Sequence, residues 1–477
     1  MKYETVIGLE IHAELDTLSK IYCGCENKFG GEENSRCCEI CLGLPGVLPV
    51  LNKKVVDYCI KAGLATNCEI SHFSKQDRKN YFYPDLPKAY QISQFDLPVC
   101  KNGYVEIETE NGKKKIRIAR IHIEEDAGKL VHAEYGDYSR VDYNRGGVPL
   151  IEIVSEPDMR SPEEAVAFLE AVRSILRYTG VSDCKMQEGS FRCDVNLSLR
   201  PFGQEEYGVR SECKNVNSFR AALRAMQFEQ ARQAEVLDGG GVVEQETRRW
   251  DDVRGISYPL RSKEEAHDYR YFPEPDLMPI VIDDEWIDRM RAELPELPDA
   301  KRARYIEELN LSEYDAGVIS ASLSLATLFE ESVKAGAAVK TSANWIMGDI
   351  SRILNETQTE AEDIPFCGGD LAELTRLIEK GTISGTIAKK VLEAMFEEKK
   401  APGVIVSEKG LVQISDEGAI VKMIEEVIDQ NPAAVEDYKA GKKKAMGFLT
   451  GQIMRVSKGK ANPSVINQKL KEILDAK

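Results

Sequence analysis

The feature that most constrains the fold is a change of period at Glu293-Leu294-Pro295-Glu296-Leu297-Pro298-Asp299. Before it, short segments alternate apolar and polar residues and only two clear helical patterns intervene. After it, the patterned segments follow the helical repeat. Two prolines in a charged stretch mark the join as a linker. A chain of 477 residues exceeds one ordinary core, so the break reads as a domain boundary. Residues 1–292 form an α+β part, and a second break at Lys400-Ala401-Pro402-Gly403 divides the rest into an all-α helical domain, 293–405, and a small α-helical tail, 406–477.

Within the first part, one helix opens at Ser161-Pro162-Glu163-Glu164, where Ser caps, Pro takes the first turn and Glu completes a capping box, and it stops at Gly180. A second runs from about Ser218 to Leu237 and ends in Gly239-Gly240-Gly241. Further on, 344–354, 371–379, 386–398, 419–429, 444–457 and 463–474 show helical spacing.

With 42% hydrophobic and 30% charged residues and a negative mean hydropathy, the composition is that of a soluble globular chain. No run approaches the roughly 18 apolar residues of a membrane span, and the start Met1-Lys2-Tyr3-Glu4-Thr5-Val6 lacks a secretory pattern. A cytoplasmic location and no membrane partner are expected. The net charge of −17 argues against broad binding to nucleic acid, yet residues 438–477 carry ten Lys or Arg against two acids. An acidic body with a basic end suggests a polyanion gripped locally; Lys442, Lys443, Lys444, Arg455, Lys458 and Lys460 are the candidates.

Twelve Cys in a reducing compartment are not a disulfide framework. Cys23-Gly24-Cys25 and, twelve residues on, Cys38-Glu39-Ile40-Cys41 form two close bites of the kind a tetrahedral thiolate Zn²⁺ site requires. Gly24 and Gly30-Gly31 would supply the turns. Four thiolates close the coordination shell, so the zinc would be structural. Cys37 adjoins a ligand position, leaving open whether it or Cys38 binds.

Four strands present acids on a polar face by period-2 alternation. In 6–12, Ile7, Leu9 and Ile11 share one face and leave Glu10 and His12 on the other. In 191–197, Asp194 and Asn196 project opposite the apolar set. Residues 209–214 put Arg210, Glu212 and Lys214 on one side. The strand 116–126 slips phase at Ala119-Arg120, which indicates a bulge, and ends in Glu124-Glu125-Asp126. Each alone reads as a solvated strand face. Adjacent in one sheet, Glu10, His12, Glu124 or Glu125, Asp194 and Glu212 would converge as ligands suited to Mg²⁺. No glycine-rich phosphate cradle of the P-loop or dinucleotide type occurs, so a phosphoryl-transfer site here would rely on metals with Lys or Arg; Arg78, Lys79 and Arg210 are available. No serine or cysteine hydrolase motif is present.

The stretch Asp77–Asp96 obeys no period yet gathers Arg78, Lys79, Tyr81, Phe82, Tyr83, Lys88 and Tyr90 around Pro84 and Pro87, which forbid a regular helix or central strand. It reads as a loop that meets a polar ligand. Its strings 78–85 and 88–94 resemble the B subunit of the bacterial aspartyl/glutamyl-tRNA(Asn/Gln) amidotransferase. So do 7–12, 43–46, 124–129, 148–157, Gln187-Glu188-Gly189-Ser190-Phe191-Arg192-Cys193-Asp194, 268–276 and 441–452. The resemblance spans nearly the whole chain.

That resemblance implies a cradle domain with an antiparallel sheet akin to the glutamine synthetase catalytic core, carrying a zinc-binding insert at 23–41, then the helical domain and a tRNA-binding tail. It implies ATP- and Mg²⁺-dependent phosphorylation of the side-chain carboxylate of Glu or Asp mischarged on tRNA(Gln) or tRNA(Asn), followed by displacement of phosphate by ammonia. Glu10, His12, Glu124, Glu125, Asp194 and Glu212 would hold or orient Mg²⁺; Lys79, Tyr81, Ser190 and Glu125 would serve the acyl-phosphate site. Ammonia would come from an amidase A subunit, with a small C subunit completing a heterotrimer. The rival readings are a non-catalytic zinc-containing tRNA-binding subunit and a free-standing ATP-dependent ligase for a small amino acid.

Overall fold

The computed structural model describes residues 2–133, 136–262, 269–412, 417–439, 442, 444–457, 461 and 463–476. The chain divides into two compact units, 1–298 and 299–477. Among the described residues no helix is long and apolar enough to cross a membrane.

The strands of the first unit are, in chain order, β1 (Tyr3–Glu14), β2 (Glu69–Ile70), β3 (Phe73–Ser74), β4 (Asp77–Asn80), β5 (Tyr90–Ser93), β6 (Cys100–Thr109), β7 (Gly112–Glu125) and β8 (Lys129–His132). They continue with β9 (Ser139–Asp142), β10 (Pro149–Ser155), β11 (Phe191–Pro201), β12 (Ser211–Val216), β13 (Glu246–Asp251), β14 (Ile256–Ser262), β15 (Phe272–Pro273) and β16 (Ile280–Val281). Nine of them build one sheet in the order β14-β13-β12-β11-β1-β10-β7-β6-β2. The expectation of an antiparallel sheet needs one correction: β12 and β13 pair in parallel, because the long helix between them returns the chain to the same end.

One face of this sheet is the core. Ile7, Leu9 and Ile11 of β1, Ile121 and Ile123 of β7, Ile151 and Ile153 of β10 and Val195 and Leu197 of β11 are all buried, and each contributes about 1.5–3 kcal/mol by leaving water. Helices α1 (Lys53–Ala65), α2 (Pro162–Tyr178) and α3 (Phe219–Asp238) supply Val55, Cys59, Phe168, Leu169, Val172, Leu176, Ala222 and Met226 to the same cluster. Ser161 and Ser218 cap α2 and α3 with their side chains. The alternation-based reading missed α1 and the short α4 (Asp284–Ala292), which Asn52 and Asp283 cap. In α1 the cap precedes a buried stripe of Val55, Val56, Cys59 and Ile60, whereas α4 buries Ile287 and Met290 and its start is marked chiefly by the cap.

The 77–96 stretch is also corrected: it is not a loop throughout. Its ends are β4 and β5, paired in register from Asp77↔Ser93 to Asn80↔Tyr90, with β15 on the outer side of β4. The prolines fall in the irregular connection between the two strands.

The second unit is helical among its described residues. One hydrophobic cluster gathers Tyr305, Phe329, Ile346, Leu371, Val391 and Ile405, and a separate one Ile420, Val427, Leu449, Ile453, Ile466 and Leu470. The helix expected over 344–354 is there but interrupted by a π-helical turn at Ile346–Ile350.

Candidate active site

Strand pairing aligns the polar face of the sheet into rows. Arg192, His12, Glu152 and His122 stand side by side on β11, β1, β10 and β7. Two residues along β1, Asp194 lies across from Glu10, while Asn196 faces Glu212. Two groups of donors result, each with ligand atoms within 4.8 Å of one another: His12, Glu124 and Glu152, and Glu10, Asp194 and Glu212.

In the first group His12 Nε2 lies 3.4 Å from Glu124 Oε1 and 3.8 Å from Glu152 Oε2, and His122 Nε2 lies 3.1 Å from Glu152 Oε2. Burial alone would neutralise these carboxylates. The histidines reverse that: His122 holds Glu152 down at about 2, and His12 and His122 together hold Glu124 well below the carboxylate range. Burial likewise opposes the charge on His122, but Glu152 and Glu124 raise it to about 9. In the second group Lys214 Nζ reaches Asp194 Oδ2 at 2.6 Å and Glu212 Oε1 at 3.2 Å, and Asn196 donates to Glu10 at 3.0 Å. One lysine leaves three carboxylates undercompensated, so Glu10 is raised by burial and then by Glu152, Glu212 and Asp194. Mixed imidazole and carboxylate donors carrying this surplus of negative charge suit a hard divalent cation.

Of the predicted ligands, Glu10, His12, Glu124, Asp194 and Glu212 are brought into these groups and Glu125 is not. Its carboxylate accepts from Lys88 Nζ and, at 2.8 Å, from the Ile92 amide. At the end of β7 it faces away from Glu124, as alternation demands. Sequence reasoning missed Glu152 and His122. Glu152 between Ile151 and Ile153 carried the period-2 signal that marked the other strands.

Strand β5 lies against this end of β7: Ser93 Oγ is 3.2 Å from Glu124 Oε2, and Gln94 Oε1 accepts the Ile123 amide at 3.0 Å. Lys79 of the adjoining β4 stands 5.0 Å from the centre of the Tyr269 ring and 5.9 Å from that of Tyr81, and those rings meet edge-on at 5.9 Å. Burial works against its ammonium, but Glu124, with Tyr271 and Glu152, raises its pKa above the lysine norm. Burial pushes the Tyr81 phenol upward. Two other residues are held elsewhere. Ser190 Oγ donates to Asp183 at 2.5 Å and accepts the Lys185 amide at 2.8 Å, which fixes the turn before β11. Arg78 clasps Glu274 at 2.6 and 2.7 Å and so is not available to a ligand, while Arg210 is exposed.

The cysteine quartet closes as its spacing implied. Cys41 Sγ lies 3.4, 3.8 and 3.9 Å from the sulfurs of Cys23, Cys25 and Cys38, near the ~3.8 Å edge that Zn–S bonds of ~2.3 Å give a tetrahedron. Cys37 turns away to the Asn34 carbonyl at 3.2 Å, which settles that Cys38 is the fourth member. A hydrogen bond from Cys23 lowers the Cys41 thiol to about 4. The fully buried Lys20 ammonium adds a contact at 3.6 Å. Gly30 and Gly31 adopt positive φ, as a tight turn needs, whereas Gly24 does not.

In the tail, Lys442, Lys444 and Arg455 are exposed, and Lys442 is paired with Asp437 at 2.8 Å. Lys443, Lys458 and Lys460 lie outside the described residues.

Residues 5–288 match the model of the GatB/GatE catalytic domain and 327–474 that of the GatB domain. The chain is 61% identical over 478 residues to the B subunit of the aspartyl/glutamyl-tRNA(Asn/Gln) amidotransferase of Caldicellulosiruptor saccharolyticus, covering 100% of both chains. It is 60% identical over 474 residues to that of Thermoanaerobacter sp. (strain X514), 99% of this chain and 100% of the relative. The corresponding B subunit of Geobacter sp. (strain M21) is 56% identical over 473 residues, 98% and 99%.

Proposed function

This chain belongs to the GatB family of amidotransferase B subunits, and from that premise we propose that it activates Glu or Asp mischarged on tRNA(Gln) or tRNA(Asn) and converts it to the amide. A side-chain carboxylate is a poor electrophile because oxide is a poor leaving group. Its oxygen therefore attacks the γ-phosphorus of ATP; the O–P bond forms as the bond to ADP breaks. Ammonia then adds to the acyl carbon, phosphate departs, and a proton is lost from nitrogen. The observation that carries this reading is the convergence of His12, Glu124 and Glu152 and of Glu10, Asp194 and Glu212 on one face of one sheet.

Mg²⁺ held by these two groups would neutralise the charge that crowds between polyphosphate and carboxylate. The chain's own residues orient and shield. His122 holds Glu152, and Lys214 steadies Asp194 and Glu212. Lys79 offers a cation beside Glu124 where an acyl phosphate would form, and Tyr81, Tyr269 and Tyr271 wall that position against water. Ser190 keeps the start of β11 in place, so Arg192 and Asp194 project correctly.

The fold plan proposed with this reaction is a glutamine synthetase-like cradle over 1–292, a helical domain over 293–405 and a tRNA-contacting tail over 406–477. The two separate cores of the second unit support the division of its helices, and exposed Lys444 and Arg455 support the tail's role. Ammonia would come from an amidase A subunit, with a small C subunit completing the assembly in the cytoplasm. The thiolates of Cys23, Cys25, Cys38 and Cys41 would hold a structural Zn²⁺.

The test is ATP turnover by the assembled enzyme. It should depend on Glu-tRNA(Gln) or Asp-tRNA(Asn) and collapse in Glu152→Gln and Glu10→Gln; unchanged turnover in both variants would falsify the assignment. Metal analysis should return about one zinc per chain, retained in Cys37→Ser and lost in Cys38→Ser. Loss in Cys37→Ser would count against the assigned quartet.

A further inference from the structure

Arg120 has no part in the groups described above, yet it shares their face. It follows a bulge: Ile118 pairs with Ser155 and Arg120 with Val154, so Ala119 has no counterpart in β10. The extra residue shifts the phase of β7. Ile116 and Ile118 are core residues before it, Ile121 and Ile123 after it. Without the bulge Arg120, His122 and Glu124 would point into the apolar core; with it they face the site, the re-aiming that bulges beside active sites perform. Across the strands the order in its row is Lys101, Arg120, Val154, Glu10 and Asp194. The next row is His122, Glu152, His12 and Arg192, so Arg120 stands diagonal to both donor groups.

The Arg120 Nε is buried and makes no hydrogen bond. Among the described residues no carboxylate pairs with this guanidinium, in contrast to its basic neighbours. Arg192 is held by Asp126 at 2.8 Å, Lys214 by Asp194, and Arg78 by Glu274. Its partner across β6 is Lys101, a like charge directly opposite, which is an unfavourable pairing. Glu69, on the far side of Lys101, places its carboxylate 3.2 Å from Asn102 Nδ2. A buried donor without an acceptor is destabilising, and so are two adjoining cations in a chain whose net charge is −17. Both observations are accounted for by an anion bound between them.

We infer that Arg120, seconded by Lys101, binds phosphoryl oxygens of the nucleoside triphosphate at the edge of the carboxylate groups. The inference rests on the phosphoryl-transfer reading above and extends it. The site's own carboxylates claim part of the charge of any bound Mg²⁺, which leaves a triphosphate incompletely neutralised, and a guanidinium fork matches the geometry of phosphate oxygens. Val154 separates Arg120 from Glu10, so the arginine can engage the ligand without being quenched by the site's own acids.

The experiment uses the assembled amidotransferase with Mg²⁺ and mischarged tRNA, measuring KM for ATP, kcat, KM for the tRNA, and binding of a non-hydrolysable ATP analogue. Arg120→Gln should raise KM for ATP and weaken the analogue by about 10- to 100-fold, and Lys101→Gln should produce a smaller change of the same kind. Arg120→Lys should recover part of the loss, as should added guanidinium ion with the Gln variant, while KM for the tRNA stays within twofold. The melting temperature of Arg120→Gln should not fall, since the lost group makes no internal bond; a fall with unaltered analogue binding would show a structural role and overturn the inference. A rise in KM for the tRNA instead of ATP would also overturn it, placing Arg120 on the acyl or RNA side. Unaltered ATP parameters in Arg120→Gln, with Glu152→Gln inactive, would remove Arg120 and leave the reaction standing. A wild-type enzyme without Mg²⁺-dependent ATP turnover would remove both.

Discussion

The two faces of the central sheet are drawn from the same strands and behave oppositely. On one, Leu9, Ile11, Ile123 and Ile153 pack beneath three helices and lose nearly all contact with water. On the other, the residues between them, Glu10, His12, Glu124 and Glu152, are held close together with mutual repulsion only partly relieved by histidine and lysine. A strand cannot separate the two, since successive side chains point to opposite sides. The difference shows how this fold tolerates a charged site: the apolar face supplies the stability against which the strained face is maintained.

That contrast can be broken first at the site. Glu10→Gln should lower kcat/KM for tRNA-dependent ATP turnover by at least ~100-fold while moving the melting temperature little, because burial and the acidic neighbours already disfavour its charge. Equal damage to stability and turnover would mean that the two faces are not separable. The converse substitution is Leu9→Ala, one residue from Glu10 on the packed side. It should cost about 2–5 kcal/mol in denaturant unfolding, with the surviving folded fraction keeping its KM for ATP; a loss below ~1 kcal/mol would show that this face is loosely packed.

The finest test is pH. His122 is raised from its ordinary value to about 9, so its stabilising contribution is fully present below about 6.5 and is lost as pH rises through 9. Glu152 is depressed to about 2, so its contribution is present above about 4.5 and lost as pH falls toward 2. Metal-free protein should therefore melt highest between those limits, and His122→Gln should flatten the alkaline decline. An unchanged alkaline limb in that variant would remove His122 from the account.

Much of this was legible in the chain. Alternation in β1 and β11 gave the faces of Glu10, His12 and Asp194, because a period of two needs no tertiary information. Ser161 and Ser218 marked their helices because a cap is a local hydrogen bond. The two cysteine bites and the slip at Ala119 were visible for the same reason. Other residues were not assignable locally. After the slip at Ala119 the period already sets Glu124 with His122 and Glu125 with Ile121 and Ile123, but that Glu125 is occupied by Lys88 and the Ile92 amide is visible only in the structure. Glu152 acquires its role only from β1 and β7 on either side of it. Ser190 and Arg78 had the right chemistry but met Asp183 and Glu274 first.

By itself, then, the sequence determined the elements that rest on local periodicity and capping, the two cysteine bites and the family, while the choice of Cys38 over Cys37 came from the structure. Only the tertiary structure decided which acids share a site, which bases are already paired and where Lys79 stands, because strand order and register bring together residues far apart in the chain. Arg120 spans both levels: its bulge is written in the sequence, while its lack of a partner exists only among its neighbours.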